Sequence, residues 1–185
     1  MHAFTEGTPV IPTTNTTAVR LLNCARGEGT TVSILHSFLE DRQCIALLVQ
    51  EPWLDYTHLP PAHPDLILLS PTPTKPRCAT YIKRIPGVTA STTFSHGDSF
   101  LGVEISIPLH TTSTPGTPTG PSKCPGQKHP FQQQVTSFTL YNFYSPGRPT
   151  HLHSLLKSGF IPSPNCILMG GLNTHHLWWA ADAAS

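Results

Sequence analysis

At 185 residues the chain is long enough to bury one real core and reads as a single domain. Charged residues make up 11%, against roughly a quarter in an ordinary soluble domain, while 20 prolines and 13 glycines point to loop-rich segments around an apolar centre. A net charge of +1 lacks the basic footprint of a strong nucleic-acid binder, and no segment approaches the ~20 apolar residues that cross a bilayer.

Residues 1–18, rich in threonine and proline without a period, are expected to be a disordered or loosely ordered arm. They lack the basic start and apolar run of a secretory signal. The five cysteines, Cys24, Cys44, Cys78, Cys124 and Cys166, are widely spaced and never form a Cys-x-x-Cys pair. Reduced, partly buried thiols in a soluble intracellular protein are therefore expected.

The folded part begins at 19–24, VRLLNC, a short strand that delivers Asn23 near its end. Val32, Leu35, Phe38 and Leu39 then recur at helical spacing, with Thr30 or Thr31 as the expected N-cap. The continuous apolar run IALLV at 45–49 predicts a buried strand ending at Gln50, Glu51 and Pro52. Further strands are predicted at 65–70 and at 80–84, the second near a sheet edge because Lys83 and Arg84 end it.

In 99–107, Leu101, Val103, Ile105 and Ile107 alternate as in a half-buried strand. The composition then changes abruptly, and 108–130 is a Thr/Pro-rich insert unable to bury a core. Alternation returns over 134–145 with Val135, Phe138, Leu140, Asn142 and Tyr144. Leu152, Leu155 and Leu156 predict a helix over 150–157, with Gly159 at its C-cap. Cys166 to Met169 predict a strand covered on both faces, opening through Gly170 and Gly171 into Asn173, His175 and His176. Interleaved strands and helices predict an α/β sandwich, sheets inside and helices outside.

Polar residues follow apolar runs at Asn23, Glu51, Tyr144 and Asn173. A carboxylate beside amides at a sheet rim suits a hard cation such as Mg²⁺, which offsets charge on a phosphoryl group while a base takes a proton from the attacking water. The competing reading of each is ordinary: strand-end asparagine and glutamate are common turn residues, and Tyr144 serves equally as a packed strand tyrosine. Trp53 and Trp178 read as packing residues, and Tyr81 is open between sheet packing and a place beside the site. A zinc site at His151 and His153, or at His175 and His176, is disfavoured by spacing and by the absence of a cysteine pair.

The segments RLLNC, IALLVQEPW, RCATYIKR, FTLYNFYSP and ILMGGLNTHHLWW, in that order, resemble the endonuclease/exonuclease/phosphatase superfamily. They are most similar to the endonuclease domain of non-LTR (LINE-type) retrotransposons, over about residues 19–179 apart from the insert. The resemblance implies a four-layer α/β sandwich, incomplete at its C-terminus within 19–185, and metal-dependent phosphodiester hydrolysis of DNA. It implies Mg²⁺ as cofactor held by Asn23 and Glu51, Tyr144 and Asn173 as catalytic groups near the phosphate, and His175 and His176 as a substrate-facing pair. A nuclear location follows by the same resemblance, with no membrane and no protein partner implied.

Two departures bear on activity. Where the family has Gly-Asp-Phe-Asn, this chain has Gly170, Gly171, Leu172 and Asn173, so glycine stands in place of the aspartate that orients or deprotonates water. The sequence also ends at Ser185, before the family's closing Ser-Asp-His motif. The expectation is a largely inactive copy with an unfinished sheet, poorly stable in isolation. The alternative is a catalytically dead fragment acting at most as a weak binding module.

Overall fold

The computed structural model describes residues 18–108, 135–145 and 150–171. Residues 1–17, all of the insert after Pro108, and Asn173, His175, His176 and Trp178 lie outside the described residues.

The elements run β1 (Ala18–Asn23), α1 (Glu28–Glu40), β2 (Cys44–Gln50), β3 (Leu66–Leu69), β4 (Cys78–Lys83), β5 (Thr89–His96), β6 (Phe100–Pro108), β7 (Val135–Tyr144), α2 (Thr150–Lys157) and β8 (Cys166–Gly171). They build two four-stranded sheets, ordered β1-β2-β4-β3 and β5-β6-β7-β8. Each sheet has one parallel pair, β1 with β2 and β7 with β8, and is otherwise antiparallel. The protein is thus a mixed α/β structure with two small sheets.

The sheets share one core. Ile45, Ala46, Leu48, Cys78 and Ile82 of the first meet Leu101, Val103, Ile105, Leu140 and Tyr144 of the second. Each large apolar side chain buried there contributes about 1.5–3 kcal/mol relative to exposure. The opposite face of the first sheet, with Cys44, Leu47, Val49, Ala79 and Tyr81, packs on Leu35 and Phe38 of α1. β2 therefore has both faces covered and is buried along its whole length, which is why CIALLVQ does not alternate.

The outer face of the second sheet is aromatic. The Phe100 ring lies 5.0 to 5.9 Å from those of Phe94, Tyr141, Phe143 and Phe160, and Leu155 of α2 joins the cluster. Gly102 gives the Tyr141 ring its place, since a Cβ there would lie 2.7 Å from Tyr141 Cε1.

Several expectations are corrected. α1 begins at Glu28, with Gly27 as its N-cap; Thr31 sits within the first turn, its hydroxyl donating to Gly27 O at 2.9 Å. The buried stripe is Thr31, Leu35 and Phe38, which leaves Val32 39% exposed.

β4 lies between β2 and β3 and is not an edge strand. Its basic end is accommodated because Lys83 Nζ donates to Leu39 O at 3.3 Å and Asp41 O at 2.5 Å, at the carbonyl-rich end of α1, and lies 4.9 Å from the centre of the Phe38 ring. β5, TASTTFSH, was not anticipated: it pairs with β6 at the sheet edge and carries hydroxyls where an apolar alternation would have announced it.

β8 is not covered on both faces. It pairs with β7 alone among the described residues, and Ile167 and Leu168 are 43% and 61% exposed. A short apolar run is compatible with either an interior or an edge strand, so periodicity alone could not separate them. Among the described residues, no helix is long and apolar enough to cross a membrane.

Candidate functional site

Parallel strands bring their carboxyl ends together. At the end of β1, Asn23 stands opposite Gln50 of β2, and Cys24 N–H donates to Gln50 O at 2.9 Å. At the end of β7, Tyr144 stands opposite Gly171 of β8, and Ser145 N–H donates to Gly171 O at 2.9 Å. The buried side chain of Gln50 joins the pairs, its Nε2 donating across the core to Phe143 O at 2.6 Å. Asn23, Glu51, Tyr144 and Gly171 therefore come to one end of the sandwich although 148 residues of sequence separate the first from the last.

The side chains there differ in what they offer. Asn23 is exposed, and its Oδ1 accepts the Ala25 N–H at 2.8 Å, which leaves one carbonyl lone pair. Glu51 is half-buried at φ +46°, held by its own N–H donating to Arg77 O and by Arg26 N–H donating to its carbonyl, each at 2.8 Å. The Tyr144 ring packs between the sheets and is 3% exposed. Gly171 has no room for a side chain while Gln50 keeps its position: a Cβ there would lie 2.5 Å from Gln50 Oε1. Gln50 occupies the space into which an acid at 171 would project. Asn173, His175 and His176 lie outside the described residues.

Mg²⁺ is a hard cation that is usually bound by one or two carboxylates and keeps several waters. At this end of the sandwich Glu51 is the carboxylate, and Asn23 the amide, that could offer oxygens to such an ion. Among the described residues, no three His, Cys, Asp or Glu side chains come together as a metal site, so a fuller ligand cage, such as zinc requires, is not built from them.

Sequence reading missed two features of this end. Gln50 is the first; its place after an apolar run was visible, but its reach across the core was not. The second is a cleft of about 390 Å³ lined by Arg26, Pro52, Leu54, His58, Lys75, Pro76, Arg77 and Asp98. It is assembled from the β1–α1 turn, the loops around β2 and β3, and the β5–β6 turn, which no spacing in the sequence links. Arg77 Nε donates to Asp98 Oδ2 at 3.0 Å, and Ser99 Oγ donates to Asp98 Oδ1.

Other polar groups near this end are structural. Tyr81 is buried on the α1 side of the first sheet and its hydroxyl donates to Pro61 O at 3.0 Å, which makes it a packing residue; burial pushes its phenol upward. Cys78 is fully buried between the sheets, and desolvation drives its thiol well above the ordinary range, the opposite of an activated nucleophile. Trp53 is half-buried, and its backbone N–H donates to Thr31 Oγ1 at 3.0 Å, tying the loop after Glu51 to α1.

No family model, no curated protein and no solved structure matches this chain.

Proposed function

We propose that this chain is a member of the endonuclease/exonuclease/phosphatase superfamily, of the kind found in non-LTR retrotransposons, whose Mg²⁺-dependent cleavage of DNA has been lost. The observation that carries the reading is the gathering of Asn23, Glu51, Tyr144 and Gly171 at the carboxyl ends of two parallel strand pairs joined by Gln50. Two sheets packed face to face, with α1 on one outer face and Leu155 of α2 on the other, support the four-layer sandwich of that superfamily.

In this reading Glu51 holds the cation, with Asn23 supplying an amide oxygen beside it. When bound, the cation would offset the charge that grows on the phosphoryl oxygens. Tyr144 and Asn173 would act near the phosphate, Tyr144 through a hydroxyl carried on a ring packed between the sheets, and His175 and His176 would contact the DNA. The missing step is proton removal from water: Gly171 carries no carboxylate, and Gln50 fills the space where one would stand. Loss of such a base costs about 10²- to 10⁴-fold in rate.

A plasmid-nicking assay with Mg²⁺, run beside Glu51→Ala, tests the proposal. The expected result is nicking at or near the level of that variant. Robust nicking that disappears in Glu51→Ala would overturn the loss of activity, and Mg²⁺-independent nicking that survives Glu51→Ala would overturn the assignment of Glu51. A second reading, a binding module without chemistry, is favoured by the way Gln50 closes the acid position.

A further inference from the structure

All five non-glycine residues with positive φ among the described residues, Ala25, Arg26, Glu51, His58 and Lys75, cluster at one place. Arg26, His58 and Lys75 line the cleft beside Glu51, Ala25 precedes Arg26 in the chain, and Glu51 precedes the lining residue Pro52. Left-handed backbone is unfavourable for side chains with a Cβ, and clusters of it occur at ligand clamps and active sites, where surrounding contacts hold it in place. Here those contacts are specific: Lys75 N–H donates to His58 O at 2.9 Å, His58 N–H to Asp55 O at 2.9 Å, and Arg26 N–H to Glu51 O at 2.8 Å.

The charge is as localised as the strain. The whole chain carries a net +1, yet this cleft presents Arg26, Lys75 and Arg77 against the single carboxylate of Asp98, with His58 beside them. Asp98 is already engaged, one oxygen by Arg77 Nε and the other by Ser99 Oγ. Among the described residues no carboxylate pairs with Arg26 or Lys75.

From this we infer that the cleft is a binding site for a phosphoryl group, with Arg26 and Lys75 as its principal contacts and Arg77 oriented by Asp98. The cleft, at about 390 Å³, falls within the size range of small-ligand sites of roughly 300–1,000 Å³, wide enough for a nucleotide unit and not only for a bare anion. The phosphoryl group comes either from the backbone of a single nucleic-acid strand or from a free phosphate compound. The inference does not depend on catalysis, since it needs neither Mg²⁺ nor an acid at 171.

The test uses the full chain in EDTA and two probes: a short fluorescein-labelled oligothymidylate read by anisotropy, and inorganic pyrophosphate read by thermal shift. Arg26→Gly with Lys75→Gly removes both cations while relieving positive φ, so the variant does not depend on a strained backbone to fold. If the strand is the source, oligothymidylate affinity falls roughly tenfold or more in this variant. The slope of log affinity against log salt becomes shallower by about 1.4, at ~0.7 per phosphate contact on a single strand. Arg26→Lys with Lys75→Arg restores both quantities. If a free phosphate compound is the source, pyrophosphate raises the Tm of the wild-type chain but not of the double glycine variant, and the oligonucleotide gains nothing over it.

A control pair distant from the cleft, Arg42→Ala with Arg84→Ala, leaves binding unchanged. Loss of binding equal to that control, or no binding of either probe, overturns the inference. Glu51→Gln retains binding in EDTA whatever the outcome of the nicking assay, so failure of the nuclease reading and failure of this site are separable.

Discussion

Placing an aspartate at 171 is the most direct perturbation of the strand-end cluster. A Cβ at that position would stand 2.5 Å from Gln50 Oε1, too close for the present arrangement. Gln50 is 2% exposed and its Nε2 donates to Phe143 O at 2.6 Å, so its side chain can move only by giving up that bond to the second sheet. Breaking a buried hydrogen bond of this kind costs about 1–3 kcal/mol. At ~2–4 °C per kcal/mol for a chain of this size, Gly171→Asp should lower the Tm by about 2–12 °C. Thermal and urea unfolding followed by circular dichroism would measure it, within a double-mutant cycle that includes Gln50→Ala. Once Gln50 is truncated the obstacle is gone, so the two changes should be non-additive, with a coupling of about 0.5–3 kcal/mol. Strict additivity, or a Gly171→Asp chain as stable as wild type, would refute the reasoning. Because Gln50 stands in the acid position, Gly171→Asp alone should also fail to produce nicking.

Gly170→Ala should destabilise more than Gly171→Ala, because its Cβ would run into the Phe143 carbonyl oxygen and Cβ, backbone-anchored atoms that cannot swing aside; urea midpoints of the two variants compare them directly. Of Cys24, Cys44, Cys78 and Cys166, burial pushes the first three thiols up while Cys166 is half-buried, so native alkylation followed by mass spectrometry should label Cys166 first, and early labelling of Cys78 would contradict the packing. The Thr57 hydroxyl, followed by the Leu59 N–H, holds the Asp55 carboxyl below its ordinary range. Its folded pKa being depressed, Asp55 contributes stability above an unfolded value of about 3.9 and loses it as pH falls through the folded value. The stability difference between wild type and Asp55→Asn should therefore shrink below about pH 4, and a pH-independent difference in urea midpoints would refute the assignment.

Much of the fold was legible because local pattern and tertiary placement agree. The alternation of Leu101, Val103 and Ile105 is the inner face of β6, the apolar run at 45–49 is a strand buried on both sides, and the leucines at 150–157 with Gly159 beyond them mark α2 and its end. Where environment overrides pattern, the sequence misled. Lys83 suggested an edge, yet α1 offers carbonyls to receive it inside the sheet; β8 suggested burial, yet among the described residues it pairs with β7 alone; β5 gave no apolar rhythm because it needs little burial at an edge. Tyr81, open from sequence, became a core residue once its hydroxyl found Pro61 O.

Which residues stand at the strand ends, and the lack of an acid side chain at Gly171, follow from residue type and period alone. What surrounds them depends on how distant strands pair and pack. Parallel pairing of β1 with β2 and of β7 with β8 sets their carboxyl ends side by side, and Gln50 joins the two pairs and closes the space at Gly171. The cleft of Arg26, Lys75 and Arg77 is likewise tertiary, since its cations come from separate loops and share no spacing along the chain. Such proximity is created by strand pairing and inter-sheet packing, and pairing over long sequence distances leaves no local periodic trace.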